Sequence, residues 1–210
     1  MVTRPVGLSR DLPPKRVMRA NLDGHDMVVW RASDGTISAW NNRCPHRGMA
    51  LSHGFVRGKS LACLYHGWHF SANGQCNHIP AHPDLEPPET IRTRAYSAVE
   101  ESGVIWVSSD DEAVADPLDL LPLRSFIIDA TETAVRAIVP STPYRGCAPA
   151  PKGDGIYDIG AAKIAFLTNP MCEATHVTVL VDKETDNAGL RDLSRWCEAV
   201  RRAAETEAIP

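Results

Sequence analysis

Apolar and polar positions change their pattern near the middle of the chain. Through the first half, apolar residues fall in short runs rich in β-branched and aromatic types, separated by turn residues. VVWRAS and TISAW flank Asp34-Gly35, and WHFSA and QCNHI flank Asn73-Gly74; both dipeptides favour the tight turns of hairpins. SGVIWVSSD at 102–110 predicts a closing strand. Residues 111–123, DEAVADPLDLLPL, combine acid, proline and leucine in the manner of a linker. A strand is expected over Ser125–Val139, then a loop in PSTPYRGCAPAPKGDG, whose four prolines and three glycines oppose regular structure. AAKIAFLT and THVTVLV predict two further strands. Asp186–Ile209 predicts a helix, with Leu190, Leu193, Trp196, Cys197, Val200 and Ala204 at three- and four-residue steps and Asp186 as N-cap. The expected fold class is mainly β, an antiparallel β domain followed by a small strand-strand-helix α+β part.

With 210 residues, 43% of them hydrophobic, the chain has material for one core of about a hundred residues and a smaller second one. A net charge of -4 gives no support to a nucleic-acid binder. The average hides a bias: residues 1–110 carry twelve Lys/Arg against ten Asp/Glu, and residues 111–210 carry ten against sixteen. No carboxylate lies between Asp34 and Asp84, whereas Arg43, Arg47, Arg57 and Lys59 do. The N-terminus lacks an apolar signal core and no stretch approaches bilayer-spanning length, so a soluble, cytoplasmic protein without membrane association is expected. Six cysteines are then expected as thiols or metal ligands rather than disulfides.

Cys44-Pro45-His46 and Cys63-Leu64-Tyr65-His66 form the pattern C-x-H-x16-C-x2-H. Two thiolates on one iron and two neutral imidazoles on the other would hold one [2Fe-2S] cluster, at a higher potential than an all-thiolate set gives. Each ligand pair needs its own loop, and the hairpin signals supply them. Coordinated imidazoles keep a second nitrogen facing outward, which makes His46 and His66 the exit for electrons. Structural zinc also takes two Cys and two His, although such sites usually pair Cys with Cys and His with His.

The segment NRCPHRGMALSHGFVRGKSLACLYHGWHFSANGQCNHIP, and with it roughly residues 1–110, resembles the Rieske domain of the ring-hydroxylating and demethylating Rieske non-haem iron oxygenases. The resemblance places the cluster on Cys44, His46, Cys63 and His66. Arg47 and Gly48 fall on its CPHRG flank, Gly67 and Trp68 on its YHGW flank, and Ile79-Pro80 on the segment that shields the cluster. Met49 and Tyr65 stand where respiratory-chain Rieske proteins carry a disulfide, which implies the lower-potential oxygenase type, and Trp68 favours that branch over small ferredoxins. The implied division is a Rieske domain over 1–112 and a small α+β domain over 113–210. The latter reads as a contracted helix-grip relative lacking a mononuclear iron site. Family members hold that iron with two histidines and a carboxylate, and of the eight histidines here only His176 lies beyond residue 110.

Other candidates carry blander readings. His78 and His82 are four apart, but Pro80 between them prevents a helical ligand pair. His53 and His69 read equally as neighbours of the ligands or as ordinary loop residues. Cys76, Cys147, Cys172 and Cys197 lack metal-type partners, and Trp196 reads as a core anchor. The basic interval fits either a docking face for an acidic redox partner or scattered solvated charge. The expected function is single-electron transfer from a flavin or ferredoxin reductase to a separate oxygenase. The chain would then be an oxidoreductase component of a Rieske-type oxygenase system, not self-sufficient as a mono- or dioxygenase and with no assigned catalytic residue. One alternative is an oxygenase subunit whose iron comes from another chain or from atypical ligands; another is a redox-sensing module.

Overall fold

The computed structural model describes residues 3–110 and 112–207. Its elements are β1 (Thr3–Leu8), β2 (Val17–Leu22), β3 (His25–Arg31), β4 (Ile37–Asn41), β5 (Phe55–Arg57), β6 (Ser60–Ala62), β7 (His69–Ser71), β8 (Cys76–His78), β9 (Ala95–Glu101), β10 (Val104–Ser108), β11 (Leu120–Ile128), α1 (Glu132–Ser141), β12 (Ala150–Gly153), β13 (Ile156–Ile159), β14 (Ala162–Pro170), β15 (Thr175–Asp182) and α2 (Asn187–Glu207). The fold is mostly β, built from several antiparallel sheets. The chain forms two compact units, one of residues 1–3, 9–99 and 106–115, the other of 4–8, 100–105 and 116–210. No helix among the described residues is long and apolar enough to cross a membrane.

In the first unit, strands run in the order β9-β4-β3-β2, and a smaller sheet in the order β5-β6-β7-β8. Both expected hairpins are present. Gly35 has φ +92°, and the Asp34 carboxylate accepts from the Thr36 N–H at 3.1 Å, an Asx turn that fixes the β3–β4 register. At the β7–β8 turn, the Asn73 side-chain oxygen accepts from Gln75 N–H at 3.0 Å. Gly74 there has φ +80°, and an added Cβ would lie 2.5 Å from the Thr93 carbonyl oxygen. The core between the sheets holds Trp30, Trp40 and Phe70, each fully buried and packed edge to face, with ring centroids at 5.1 and 6.4 Å. Cys44, Cys63 and Ile79 belong to the same buried cluster, so the ends of the ligand loops are rooted in the core.

The second unit has a five-stranded sheet in the order β11-β15-β14-β13-β12. Its core joins Val177, Val179 and Val181 of β15 to Leu193, Trp196, Cys197, Val200 and Ala204 of α2. The α2 face is the predicted one. Asp186 caps it, its carboxylate accepting from the Gly189 N–H at 2.7 Å. The expected helix end at Ile209, like the linker's first residue Asp111, lies outside the described residues.

Two segments differ from expectation. The expected strand over Ser125–Val139 is a strand that starts earlier, at Leu120 inside the expected linker, followed by helix α1. Thr131 caps this helix, accepting from Ala134 N–H at 3.3 Å, and Glu132 bonds Arg136 one turn on. Val135, Ile138 and Val139 then share its buried face. The expected loop over 140–155 contains the short edge strand β12, whose Pro151 faces Tyr157 of β13 with a register irregularity beside it; proline is tolerated at such an edge because it owes no ladder donor.

Candidate metal centre

Two loops carry the ligand candidates, and the same pair of backbone hydrogen bonds closes each. In CPHRGM the Cys44 N–H donates to the Met49 carbonyl at 2.8 Å and the Gly48 N–H to the Cys44 carbonyl at 2.9 Å. In CLYHGW the Cys63 N–H donates to the Trp68 carbonyl at 2.9 Å and the Gly67 N–H to the Cys63 carbonyl at 3.0 Å. The fifth position of each loop is left-handed, with φ +73° at Gly48 and +69° at Gly67, a conformation open to glycine without strain.

This shared frame decides where the donors point. The first-place cysteines face inward, Cys44 3% and Cys63 2% exposed, and both are free thiols. Burial, together with the adjacent Cys63 sulfur, pushes the Cys44 thiol up to about 11, against the pull of the His46 and Arg47 N–H groups aimed at its sulfur. The histidines face outward: His46 is half-buried and His66 exposed, their ring centroids 4.7 Å apart. Burial, and after it the His66 ring and the Arg47 guanidinium, lowers the His46 pKa below the ordinary value. An aromatic holds each imidazole. Trp68 of the second loop stacks on His46 of the first at 4.1 Å and 5° between planes, and Tyr65 lies against His66 at 3.9 Å.

The donor set is thus an inner sulfur pair and an outer nitrogen pair. Among the described residues, no three His, Cys, Asp or Glu side chains form a group that could hold one metal ion. Two sulfide-bridged irons need only two protein donors each, so the paired arrangement fits a [2Fe-2S] cluster, whereas a tetrahedral zinc ion would draw all four donors onto one point.

The remaining candidates divide. Pro80 lies against the second loop, its Cγ 3.1 Å from where a Gly67 Cβ would be, and Ile79 is buried. His69 and His78 are cross-strand neighbours with ring centroids 5.0 Å apart. Burial, then His78 and Arg57, lowers the His69 pKa. His82 is exposed in a turn whose N–H donates to the Ile79 carbonyl, and His53 is exposed in a short helical turn. Cys147 and Cys172 are exposed, and Cys76 is buried. Cys197 packs in α2, where burial pushes its thiol up to about 12. Trp196 is a core anchor, its Nε1–H donating to the Thr142 carbonyl at 3.0 Å.

The basic interval separates in space. Lys59 pairs with Asp34 at 3.0 Å and Arg57 lies over Phe55. Arg43 and Arg47 instead line a cleft of about 420 Å³ beside Cys44 and His46, together with Arg92 and Arg94. Sequence reasoning missed the last two; their signal is the alternation in Arg92-Thr93-Arg94, with Thr93 buried between exposed neighbours.

The Rieske [2Fe-2S] domain profile matches residues 3–89. The oxidoreductase NdmD of Pseudomonas putida is 36% identical over 136 residues, 64% of this chain and 23% of that protein. The 4beta-methylsterol monooxygenase of Methylococcus capsulatus is 40% identical over 117 residues, 53% of this chain and 31% of the enzyme. The matches thus span less than a third of these relatives' length. In fold, dicamba monooxygenase bound to dicamba superposes with a TM-score of 0.77 at 17% identity, over 99% of this chain and 85% of that one. NdmA of Pseudomonas putida CBB5 superposes at 0.72 and 20% identity, over 98% and 80%. Residues 3–89 match the Rieske [2Fe-2S] domain, and the chain is similar to Rieske-type oxygenases and oxidoreductases in its first half by sequence and over nearly its whole length by fold.

Proposed function

We propose that the chain is a one-electron carrier that accepts electrons from a flavin or ferredoxin reductase and delivers them to an oxygenase-type partner, with Cys44, His46, Cys63 and His66 holding the cluster. The observation that carries this reading is the pair of matched loops, which set two buried thiols behind two outward imidazoles. The bound cluster supplies a reversible one-electron store at an intermediate potential. The chain's residues do the rest. The loop N–H groups of His46 and Arg47 face the Cys44 sulfur and partly offset the cost of burying its charge, which a bound iron would complete. Trp68 and Tyr65 fix the planes of the two imidazoles, and Pro80 covers the second loop. His46 and His66 bring the site to the surface, where a partner can approach.

Aerobically purified protein is expected to be red-brown, to contain about two irons and two sulfides per chain, and to give a rhombic EPR signal after dithionite reduction. A colourless protein containing zinc would overturn the assignment. The likeness of fold, which runs through the second unit as well, favours one other reading: an oxygenase-type subunit completed by an iron from another chain or from atypical ligands. A third iron per chain with substrate-dependent oxygen uptake would select it.

A further inference from the structure

The cleft beside His46 concentrates positive charge without internal compensation. Arg43 and Arg47 reach it from the first ligand loop, and Arg92 and Arg94 from the segment preceding β9. That segment is tied down at Ile91, Thr93 and Arg94. The Ile91 carbonyl accepts from Cys76 N–H, Thr93 N–H donates to the Gly74 carbonyl, and the Arg94 carbonyl accepts from Asn41 N–H. Thr93 Oγ1 also donates to the Asn41 carbonyl. With Thr93 pinned inward, alternation turns both neighbouring arginines to the same outer side.

Elsewhere in this unit Arg19 lies on Asp26 at 2.7 Å and Lys59 on Asp34 at 3.0 Å. No Asp or Glu lines this cleft, and among the described residues Arg43, Arg47, Arg92 and Arg94 form no ion pair. Like charges gathered around one cleft repel, and an anion from outside relieves them. All four arginines are exposed and the cleft is open to solvent. That geometry suits a protein surface making many long-range charge contacts better than a small ion locked in a closed cage. Electron-transfer encounters are of this kind, small in area and steered by charge.

We propose that this cleft is the docking site for an acidic electron-donor protein, whose carboxylates face the four arginines while its redox centre comes up to His46. The inference rests on the one-electron reading above and adds the partner's chemistry and the side from which it approaches. One electron leaves the donor's reduced centre and enters this chain's cluster; the donor is oxidised by one electron and no covalent bond changes.

The test uses the cluster-loaded protein, its Arg92→Gln/Arg94→Gln variant, and a purified acidic [2Fe-2S] ferredoxin as probe. Calorimetric titration with oxidised ferredoxin at low ionic strength is expected to show binding that weakens about tenfold in the variant. Added salt should weaken wild-type binding more steeply than the variant's. In stopped flow, the rate constant for reduction by reduced ferredoxin should fall by a similar factor, while reduction by methyl viologen radical cation, which the arginines repel, does not fall. Equal ferredoxin affinity in the two proteins, salt-insensitive binding, or an equal loss with viologen would overturn the docking site. A normal rhombic EPR signal with unchanged ferredoxin affinity removes the docking site alone; absence of that signal in the wild type removes the one-electron reading and the docking site with it.

Discussion

The matched loops permit a paired perturbation in which one loop controls for the other. Gly48→Ala and Gly67→Ala each place a Cβ on a residue at φ +73° or +69°. The left-handed conformation costs an L residue about 1–2 kcal/mol, offset by about 0.4–1 kcal/mol from stiffening the unfolded chain. The surroundings then separate the two. At Gly48 the near atoms are the end of the Arg43 side chain, Nε at 3.1 Å and Nη2 at 3.2 Å, which can swing into solvent. Gly48→Ala should therefore cost about 1 kcal/mol. At Gly67 the near atom is Pro80 Cγ at 3.1 Å, part of a ring closed onto the main chain. Displacing it adds an overpacking cost of about 1 kcal/mol or more. At about 2–4 °C per kcal/mol for a chain of this size, the midpoint of thermal unfolding, followed by near-ultraviolet circular dichroism, should fall by about 3 °C for Gly48→Ala and about 6–8 °C for Gly67→Ala. Adding Pro80→Ala to Gly67→Ala should recover the difference as a coupling energy. Equal losses for the two glycines, or no recovery with Pro80→Ala, would refute the argument that Pro80 seats on the second loop.

Three other outcomes follow from the same structure. Cys63→Ser should abolish the rhombic EPR signal and lower bound iron, while Cys147→Ser, at an exposed thiol outside the loops, should leave both intact; retention of the signal in Cys63→Ser would remove that residue from the ligand set. His176 sits largely buried in β15 with Nδ1 unpartnered, and burial holds its pKa below the ordinary value against a hydrogen bond to Pro5. The unfolded chain therefore binds the proton more readily. The stability conferred by the neutral ring is present above the ordinary histidine range and is lost as the pH falls through it, so urea midpoints should drop between about pH 7 and pH 5 and His176→Leu should flatten that slope. The Asp34 carboxyl, held down to about 2 by Lys59 and the Thr36 N–H, should titrate closer to 3.8 in Lys59→Gln. Carbon-13 NMR reads that shift directly, and an unmoved titration would dissolve the pair.

The conformation of the two candidate ligand loops was legible because its determinants are local. A cysteine, a histidine two or three places on and a glycine at the fifth place specify donor, direction and turn within six residues. The two hairpins and α2 were legible for the same reason, since Asp34-Gly35, Asn73-Gly74 and the Asp186 cap act within a few residues. α1 was not. Its Val135, Ile138 and Val139 satisfy β propensity and helical spacing equally, and the cap at Thr131 with packing under the sheet decides for helix. The cleft was illegible in a different way. Arg92 and Arg94 lie more than forty residues from Arg43, and long-range hydrogen bonds such as those from Asn41 to Arg94 and from Thr93 to Gly74 bring them alongside the first loop.

Trp68 shows why the two loops have to be considered as one device. Its backbone carbonyl closes the second loop by accepting from Cys63 N–H, while its indole stacks on His46 in the first. One residue therefore sets the loop that presents His66 and the plane in which His46 is presented. The frame repeats but the imidazole does not: it stands at the third place in CPHRGM and the fourth in CLYHGW, so the two rings leave similar turns from different positions. That offset divides the surface around them. His46 faces the arginine cleft, whereas His66 lies among exposed Leu64 and Tyr65. A charged wall suits brief, salt-sensitive encounters and an apolar rim suits closer packing, so the one-residue shift between two otherwise matched loops gives a single site two unlike approaches.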